Sequence, residues 1–360
     1  KAYKYRIYPN KEQKLYLAKT FGCTRFIYNK MLADRIKSYE ENKDLDIKQI
    51  KYPTPAQYKK GFEWLKEVDS LALANAQLNL DKAYKNFFRD KSIGFPKFKS
   101  KKSNYHSYTT NNQKGTIYIE NSRIKIPKLK TMIKIKQHRQ FNGLIKSCTI
   151  SQIPSGKYYI SILVDTENIQ LPKIDKKVGI DVGLKEFAIT SDGEFFGNPK
   201  WLRKSEKRLK KLQKNLSRKK KGSNNRRKAR LKVAKLYGKI VNQRKDFLHK
   251  LSMQIISENQ AIVIEDLKVS NMLKNHRLAK AISEISWYEF RRMLEYKADW
   301  YGRKIIVAPP NYASSQLCSS CGNKSNQTKD LSCRIYICPV CGMMMDRDLN
   351  ASKNLLKLAI

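Results

Sequence analysis

Two Cys-x-x-Cys pairs near the C-terminus restrict the fold of this 360-residue chain more than any other feature. Cys318 and Cys321 form one pair, Cys338 and Cys341 the other, and 16 residues separate them. Four thiolates at that spacing are the ligand set of a zinc ribbon, where tetrahedral Zn²⁺ does the work of a core too small to hold a fold alone. Gly322 and Gly342 follow the pairs directly and let each knuckle turn bring backbone N–H groups toward sulfur. With four protein ligands the zinc is expected to be structural. Cys333 is the spare, expected to pack near the ribbon or to exchange into it as a ligand. Five of the seven cysteines fall within 24 residues, which favours metal over a secreted disulfide framework. Cys23 and Cys148 read as small buried hydrophobes.

Charge sets the partner class. Lys and Arg number 75 against 31 Asp and Glu, a net charge of +44. Such an excess repels itself unless a polyanion neutralises it, and nucleic acid is the expected partner. The cations are spread over the whole chain, unlike the single amphipathic anchor of a membrane-surface protein. No apolar run is long enough to span a bilayer and no signal-peptide pattern opens the chain, so the expected location is the cytoplasm of a prokaryote, on the nucleoid when bound to DNA.

Residues 1–8 alternate as a strand, and Asn10 with Gln13 forms a capping box for a helix. Residues 11–92 read as mostly helical, with a break at Pro53-Thr54-Pro55. From Ile117 to Val164 the apolar residues recur every second position between turn signals, which predicts a small antiparallel barrel or curled sheet. If strand 1–8 belongs to it, the helices are an insertion. Past Pro172 the order strand, strand, helices, strand, helix, strand, helix predicts an α/β unit. Its residues 200–250 hold 22 Lys and Arg against Glu206 and Asp246. Apolar stripes (Leu209, Leu212 and Leu216; Leu236, Ile240, Phe247 and Leu251) make these folded helices with a basic outer face, broken at Gly222-Ser223-Asn224-Asn225.

Three carboxylates stand out against this background. Asp181 lies within an apolar run, where an uncompensated charge costs several kcal/mol, so it must be paired, hydrogen-bonded or metal-bound. Glu265 ends the run Ala261 to Ile264, where α/β sheets present function. Asp346 and Asp348 open the last helix, one of them as its cap. Each has an ordinary reading as a turn, strand-end or capping residue. Together, in a basic protein, they suit Mg²⁺ or Mn²⁺, two of which, roughly 4 Å apart, can activate water and stabilise the leaving oxygen of a phosphodiester.

These segments together resemble the TnpB family, transposon-encoded RNA-guided DNA nucleases similar to compact type V CRISPR effectors. The resemblance rests on Lys4-Tyr5-Arg6-Ile7-Tyr8-Pro9, Gly94-Phe95-Pro96-Lys97-Phe98-Lys99, Gly179-Ile180-Asp181-Val182-Gly183, Ile264-Glu265-Asp266-Leu267, the Cys-x-x-Cys-Gly pairs and Asp346-Arg347-Asp348-Leu349-Asn350-Ala351. It implies a multidomain α+β protein. An oligonucleotide-binding-type, wedge-type β-barrel (1–10 and 93–172) would carry a helical recognition domain (11–92). A RuvC-like, RNase H-type α/β nuclease domain (173–310 and 343–360) would carry the inserted zinc ribbon (311–342). Asp181, Glu265 and Asp348 would be the catalytic, metal-holding triad, with Asp346 the second choice for the third place. Arg203, Lys207, Lys211, Arg218, Arg226, Arg227 and Arg347 are the expected nucleic-acid contacts. The expected partners are a guide RNA derived from a transposon end and double-stranded target DNA with a short adjacent motif, and the expected activity is two-metal-ion phosphodiester cleavage. A nuclease-inactive RNA-guided regulator, or a transposon-encoded DNA-binding accessory, is the alternative. Tyr105, Tyr108 and Trp287 are read as core aromatics or base-stacking platforms.

Overall fold

A computed structural model describes residues 1–42, 52–103, 105–326, 328, 330 and 332–359. The chain forms two compact units, Lys1–Glu167 and Asn168–Ile360. Part of the predicted helical stretch, residues 43–51, lies outside the described residues.

In the first unit β1 (Ala2–Tyr8) leads into α1 (Lys11–Glu41), α2 (Pro55–Gly61) and α3 (Ser70–Arg89). Six strands follow: β2 (His106–Asn111), β3 (Tyr118–Glu120), β4 (Arg123–Lys125), β5 (Ile133–Lys136), β6 (Leu144–Gln152) and β7 (Tyr158–Asp165). β1 pairs with both β5 and β7, so it belongs to the sheet and the helices are inserted after its first strand. The start of α1 is fixed by the capping box: Gln13 N–H donates to Asn10 Oδ1 at 2.8 Å, and Asn10 N–H donates to Gln13 Oε1 at 2.9 Å. The sheet has seven antiparallel strands in the order β2-β6-β7-β1-β5-β4-β3. Among the described residues this ladder ends on β2 and β3 without joining them, an open form of the expected barrel. It is nevertheless curled, because Tyr108 on β2 and Ile124 on β4 share one core with Tyr5, Ile135 and Ile160. A register shift between Ile145 and Ser147 supplies a bend of the kind that curls a sheet. α1 serves two cores: Leu17 and Phe21 pack on the sheet, while Ile27, Met31 and Leu32 pack with Leu73 and Leu80 of α3.

The second unit contains β8 (Lys177–Asp181), β9 (Glu186–Thr190), β10 (Phe195–Gly197), α4 (Trp201–Ser217), α5 (Asn224–Glu258) and β11 (Ala261–Ile264). It continues through α6 (Val269–Met272), α7 (Ala279–Ile285), α8 (Trp287–Tyr301), β12 (Lys304–Val307), β13 (Ile335–Ile337), β14 (Met344–Asp346) and α9 (Arg347–Leu356). Its main sheet runs β10-β9-β8-β11-β12, with β8, β11 and β12 parallel. Parallel strands need both faces covered, which explains their unbroken apolar sequence. Ile262 and Ile264 face α5 and α8 through Leu251, Ile255, Phe290 and Leu294. Val263, one residue out of phase, packs on Leu355 of α9. The basic hairpin of α4 and α5 has its own small core of Leu209, Leu236 and Ile240. Glu284, almost fully buried, anchors it by accepting the Leu202 and Arg203 backbone N–H groups at the start of α4.

Candidate active site

The pairing of β8 with β11 is what gathers the carboxylates. The strands run parallel in register, Ile180 opposite Ile264, so Asp181 and Glu265 come next at the same C-terminal sheet end. By the two-residue alternation Asp181 shares the face of Gly179, and Glu265 shares that of Val263, the face covered by α9. That helix lies against β8 so closely that a Cβ on Gly179 would stand 2.1 Å from the Ser352 carbonyl oxygen and 2.5 Å from the Leu356 nitrogen. Only glycine permits this approach. Asp348 is one helical turn before Ser352, a displacement of about 6 Å along the axis. Asp181 is two strand residues beyond Gly179, about 6.6 Å. Both displacements lead toward the same end of the sheet.

Their mutual electrostatics agree with that placement. Burial pushes the Asp181 carboxyl well above the usual carboxylate range; Glu265, Asp348 and Asp346 push it further, and Arg347 opposes them. Glu265 is also raised, first by burial and then by Asp348, against the hydrogen bond that Ser314 Oγ donates to its Oε1 at 2.5 Å. Asp346 is the N-cap of α9: its Oδ1 accepts from the Asp348 and Leu349 N–H groups at 2.9 and 3.1 Å. Capping occupies Asp346 and leaves Asp348 in the first turn, facing the cluster. Even with Arg347 and Arg334 paired to Asp348, these clustered carboxylates are a donor set that suits divalent cations.

Two of the expected nucleic-acid contacts have other work. Arg347 is only 8% exposed; its Nε and Nη2 donate to Asp348 Oδ1 at 3.1 and 3.0 Å, so burial beside a carboxylate removes it from the surface. Arg226 donates through Nη1 to the carbonyls of Leu216 and Lys219 at 3.0 and 2.8 Å, tying the end of α4 to the start of α5. Arg203, Lys207, Lys211, Arg218 and Arg227 are exposed on that hairpin. Tyr108 and Trp287 are core residues, whereas Tyr105 is exposed.

Among the described residues, Cys318, Cys321, Cys338 and Cys341 bring their Sγ atoms within 4.8 Å of one another. Sγ of Cys318 lies 3.6 Å from that of Cys341, and Sγ of Cys321 lies 3.5 Å from that of Cys338. These separations are too long for disulfides and near the ~3.8 Å edge of a tetrahedron with ~2.3 Å Zn–S bonds. Gly322 and Gly342, at φ +78° and +71°, close the knuckles by donating to the Cys318 and Cys338 carbonyls. The Cys341 N–H points at the Cys338 sulfur and favours the thiolate that zinc binds. Cys333 is outside this set and donates to the Ile335 carbonyl.

Sequence reasoning missed the fastening between the ribbon and the carboxylates. Asn350 Nδ2 donates to the Leu317 carbonyl at 2.6 Å while its Oδ1 accepts from Ser319 N–H at 2.9 Å. Asn354 Nδ2 donates to the carbonyls of Ser314 and Leu317 at 2.9 and 2.6 Å. Ser314 in turn holds Glu265. Two asparagines four apart on an otherwise apolar helix face were the available signal.

Comparison with known proteins gives the family. A Streptomyces pristinaespiralis protein named as a candidate RNA-guided DNA endonuclease is 39% identical over 363 residues, 99% of this chain and 88% of its own. InsQ of Escherichia coli K12, named in the same way, is 36% identical over 377 residues, 99% of this chain and 91% of its own. The TnpB-like protein L770 of Acanthamoeba polyphaga mimivirus is 26% identical over 244 residues, 63% of this chain and 46% of its own. The chain belongs to the TnpB family. Of the family models that match this TnpB chain, OrfB_IS605, described as "Probable transposase", covers residues 161–276, and the Cas12f1-like TNB domain covers 287–355. A third, described as a helix-turn-helix domain, covers residues 1–44, where the described residues of this TnpB protein form a strand and one long helix. The cryo-EM structure of a Cas12f1–sgRNA–target DNA complex shares its fold, with a TM-score of 0.60, 15% identity and coverage of 95% of this chain and 82% of that one.

Proposed function

We infer that this protein is an RNA-guided DNA endonuclease that cleaves phosphodiester bonds with divalent metal. The observation that carries the reading is the convergence of Asp181, Glu265 and Asp348 at one sheet end in a chain 39% identical to a relative named for that activity. Asp181, Glu265 and Asp348 would hold Mg²⁺, or Mn²⁺, and Cys318, Cys321, Cys338 and Cys341 would hold structural Zn²⁺. Bound magnesium supplies a Lewis acid and a more acidic water. The chain supplies the rest. Ser314 fixes the Glu265 carboxylate, Arg347 fixes that of Asp348, and capping of α9 by Asp346 sets the helix on which Asp348 rides. Partial burial of Asp181 at the sheet end lowers the local dielectric and strengthens its pull on a cation.

The second unit is read as a RuvC-like nuclease domain with an inserted ribbon, and the first as a wedge-type domain with a helical recognition insertion. A guide RNA from a transposon end would be held by charge and shape, and its pairing with the target would supply sequence specificity next to a short DNA motif. Among the described residues no helix is long and apolar enough to cross a membrane, and a cytoplasmic location fits such substrates.

Purification with bound RNA, followed by sequencing that RNA and assaying cleavage of matching duplex DNA, tests the reading. Cutting that needs Mg²⁺, is lost on RNase treatment and is lost in Asp181→Ala is the expected result. Tight binding without cutting would instead identify a regulator, and cutting that survives RNase would identify a guide-independent nuclease.

A further inference from the structure

We propose that a cavity on the α8 side of the same sheet end receives the base of the DNA nucleotide flanking the scissile phosphate, with Tyr288 as its stacking platform. This inference rests on the endonuclease reading. The cavity has a volume of about 470 Å³, within the usual range for small-molecule sites, and is lined by Ile180, Val182 and Ile264 from the strand ends and by Trp287, Phe290 and Leu294 of α8. Glu265 lines it too and is the one carboxylate of the cluster that borders the pocket.

The charge around the pocket selects a base over a phosphate. Its cations are already spent. Arg291 is bonded to Asp266 and Glu295 at 2.6 and 2.9 Å, and Arg292 is bidentate on Glu289 at 2.9 and 2.8 Å. A phosphate would meet an acidic rim there, whereas a neutral, flat base would bury apolar surface. Tyr288, which also lines the pocket, is 69% exposed, the one strongly exposed aromatic of α8. Aromatic stacking tolerates any base, as an enzyme directed by a guide requires. The phosphate would lie at the metal site while its base enters the cavity, which fixes the backbone for attack.

The test places 2-aminopurine at successive positions of the displaced strand, bound by the Asp181→Ala protein with its guide RNA. One position should be quenched. Adding Tyr288→Ala should restore its fluorescence, and adding Tyr288→Phe should not. In the active protein, Tyr288→Ala should slow cutting about tenfold, the scale of one lost base–aromatic stack. An abasic nucleotide at the quenched position should slow the unmodified protein similarly and add nothing in Tyr288→Ala. Absence of any Tyr288-dependent quenching, with cutting at the full rate in Tyr288→Ala, would overturn the pocket and leave the endonuclease intact. Tyr288-dependent quenching in a complex that never cuts would do the reverse.

Discussion

Asp181 carries the largest conflict between stability and use. Its raised carboxyl means that the folded, metal-free protein holds a proton more tightly than the unfolded chain does. The sign follows: as pH rises from about 4 through the folded-state value, metal-free stability falls. Asp181→Asn should flatten that slope and raise the melting temperature in EDTA at pH 7.5, while cutting drops by about two orders of magnitude or more, the scale of losing one electrostatic group at a reacting centre. Thermal melts across pH with and without Mg²⁺ would check this; a variant less stable than the parent in EDTA would count against the electrostatic account. Gly179 makes the complementary case, in which space rather than charge is scarce. Gly179→Ala forces a methyl against the Ser352 carbonyl and should cost about 1–3 kcal/mol in denaturant unfolding, together with activity, because α9 must lift. Residues like Asp181 were legible in the sequence because a charge in an apolar run is locally anomalous. Ser314 was not, since nothing within its own segment distinguishes it from any other loop serine.

At the scale of elements, α9 joins three structures: the sheet through Leu355, the carboxylate cluster through Asp348 and the ribbon approach through Asn350 and Asn354. Asn354→Ala would leave the buried Ser314 carbonyl short of a donor, while Leu317 keeps Asn350, and should cost about 1–3 kcal/mol. Because Ser314 holds Glu265, the same change should lower the cutting rate more than it lowers DNA affinity, a split that single-turnover kinetics can read. The ribbon should hold one zinc per chain by metal analysis, and Cys338→Ser should release it and lower the melting temperature. Both knuckles were readable from spacing alone, since metal ligation imposes short fixed intervals. The open ladder of the first unit was not, because hydrogen-bond partners across seven strands depend on pairs far apart in the chain.

Over the whole molecule the +44 charge governs association. Binding of guide RNA should fall steeply with salt, by about 10³–10⁵ in affinity between 50 and 200 mM if six to ten phosphates are neutralised. Filter binding against salt checks this. Replacing the exposed Lys207, Lys211 and Arg227 by Glu should flatten that slope, whereas Arg226→Ala should chiefly loosen the turn between α4 and α5. Composition, periodicity and cysteine spacing by themselves determined the partner class, the order of helices and strands, the capping box, the hairpin break near Gly222 and the thiolate set. All are local or additive properties, encoded within a few residues or summed over many. Only the tertiary structure decided which carboxylates lie at one sheet end and that Arg347 is buried at the start of α9. Those outcomes depend on the parallel pairing of β8 with β11 and the close seat of α9 on Gly179, contacts between segments more than eighty residues apart, which no short window of sequence contains.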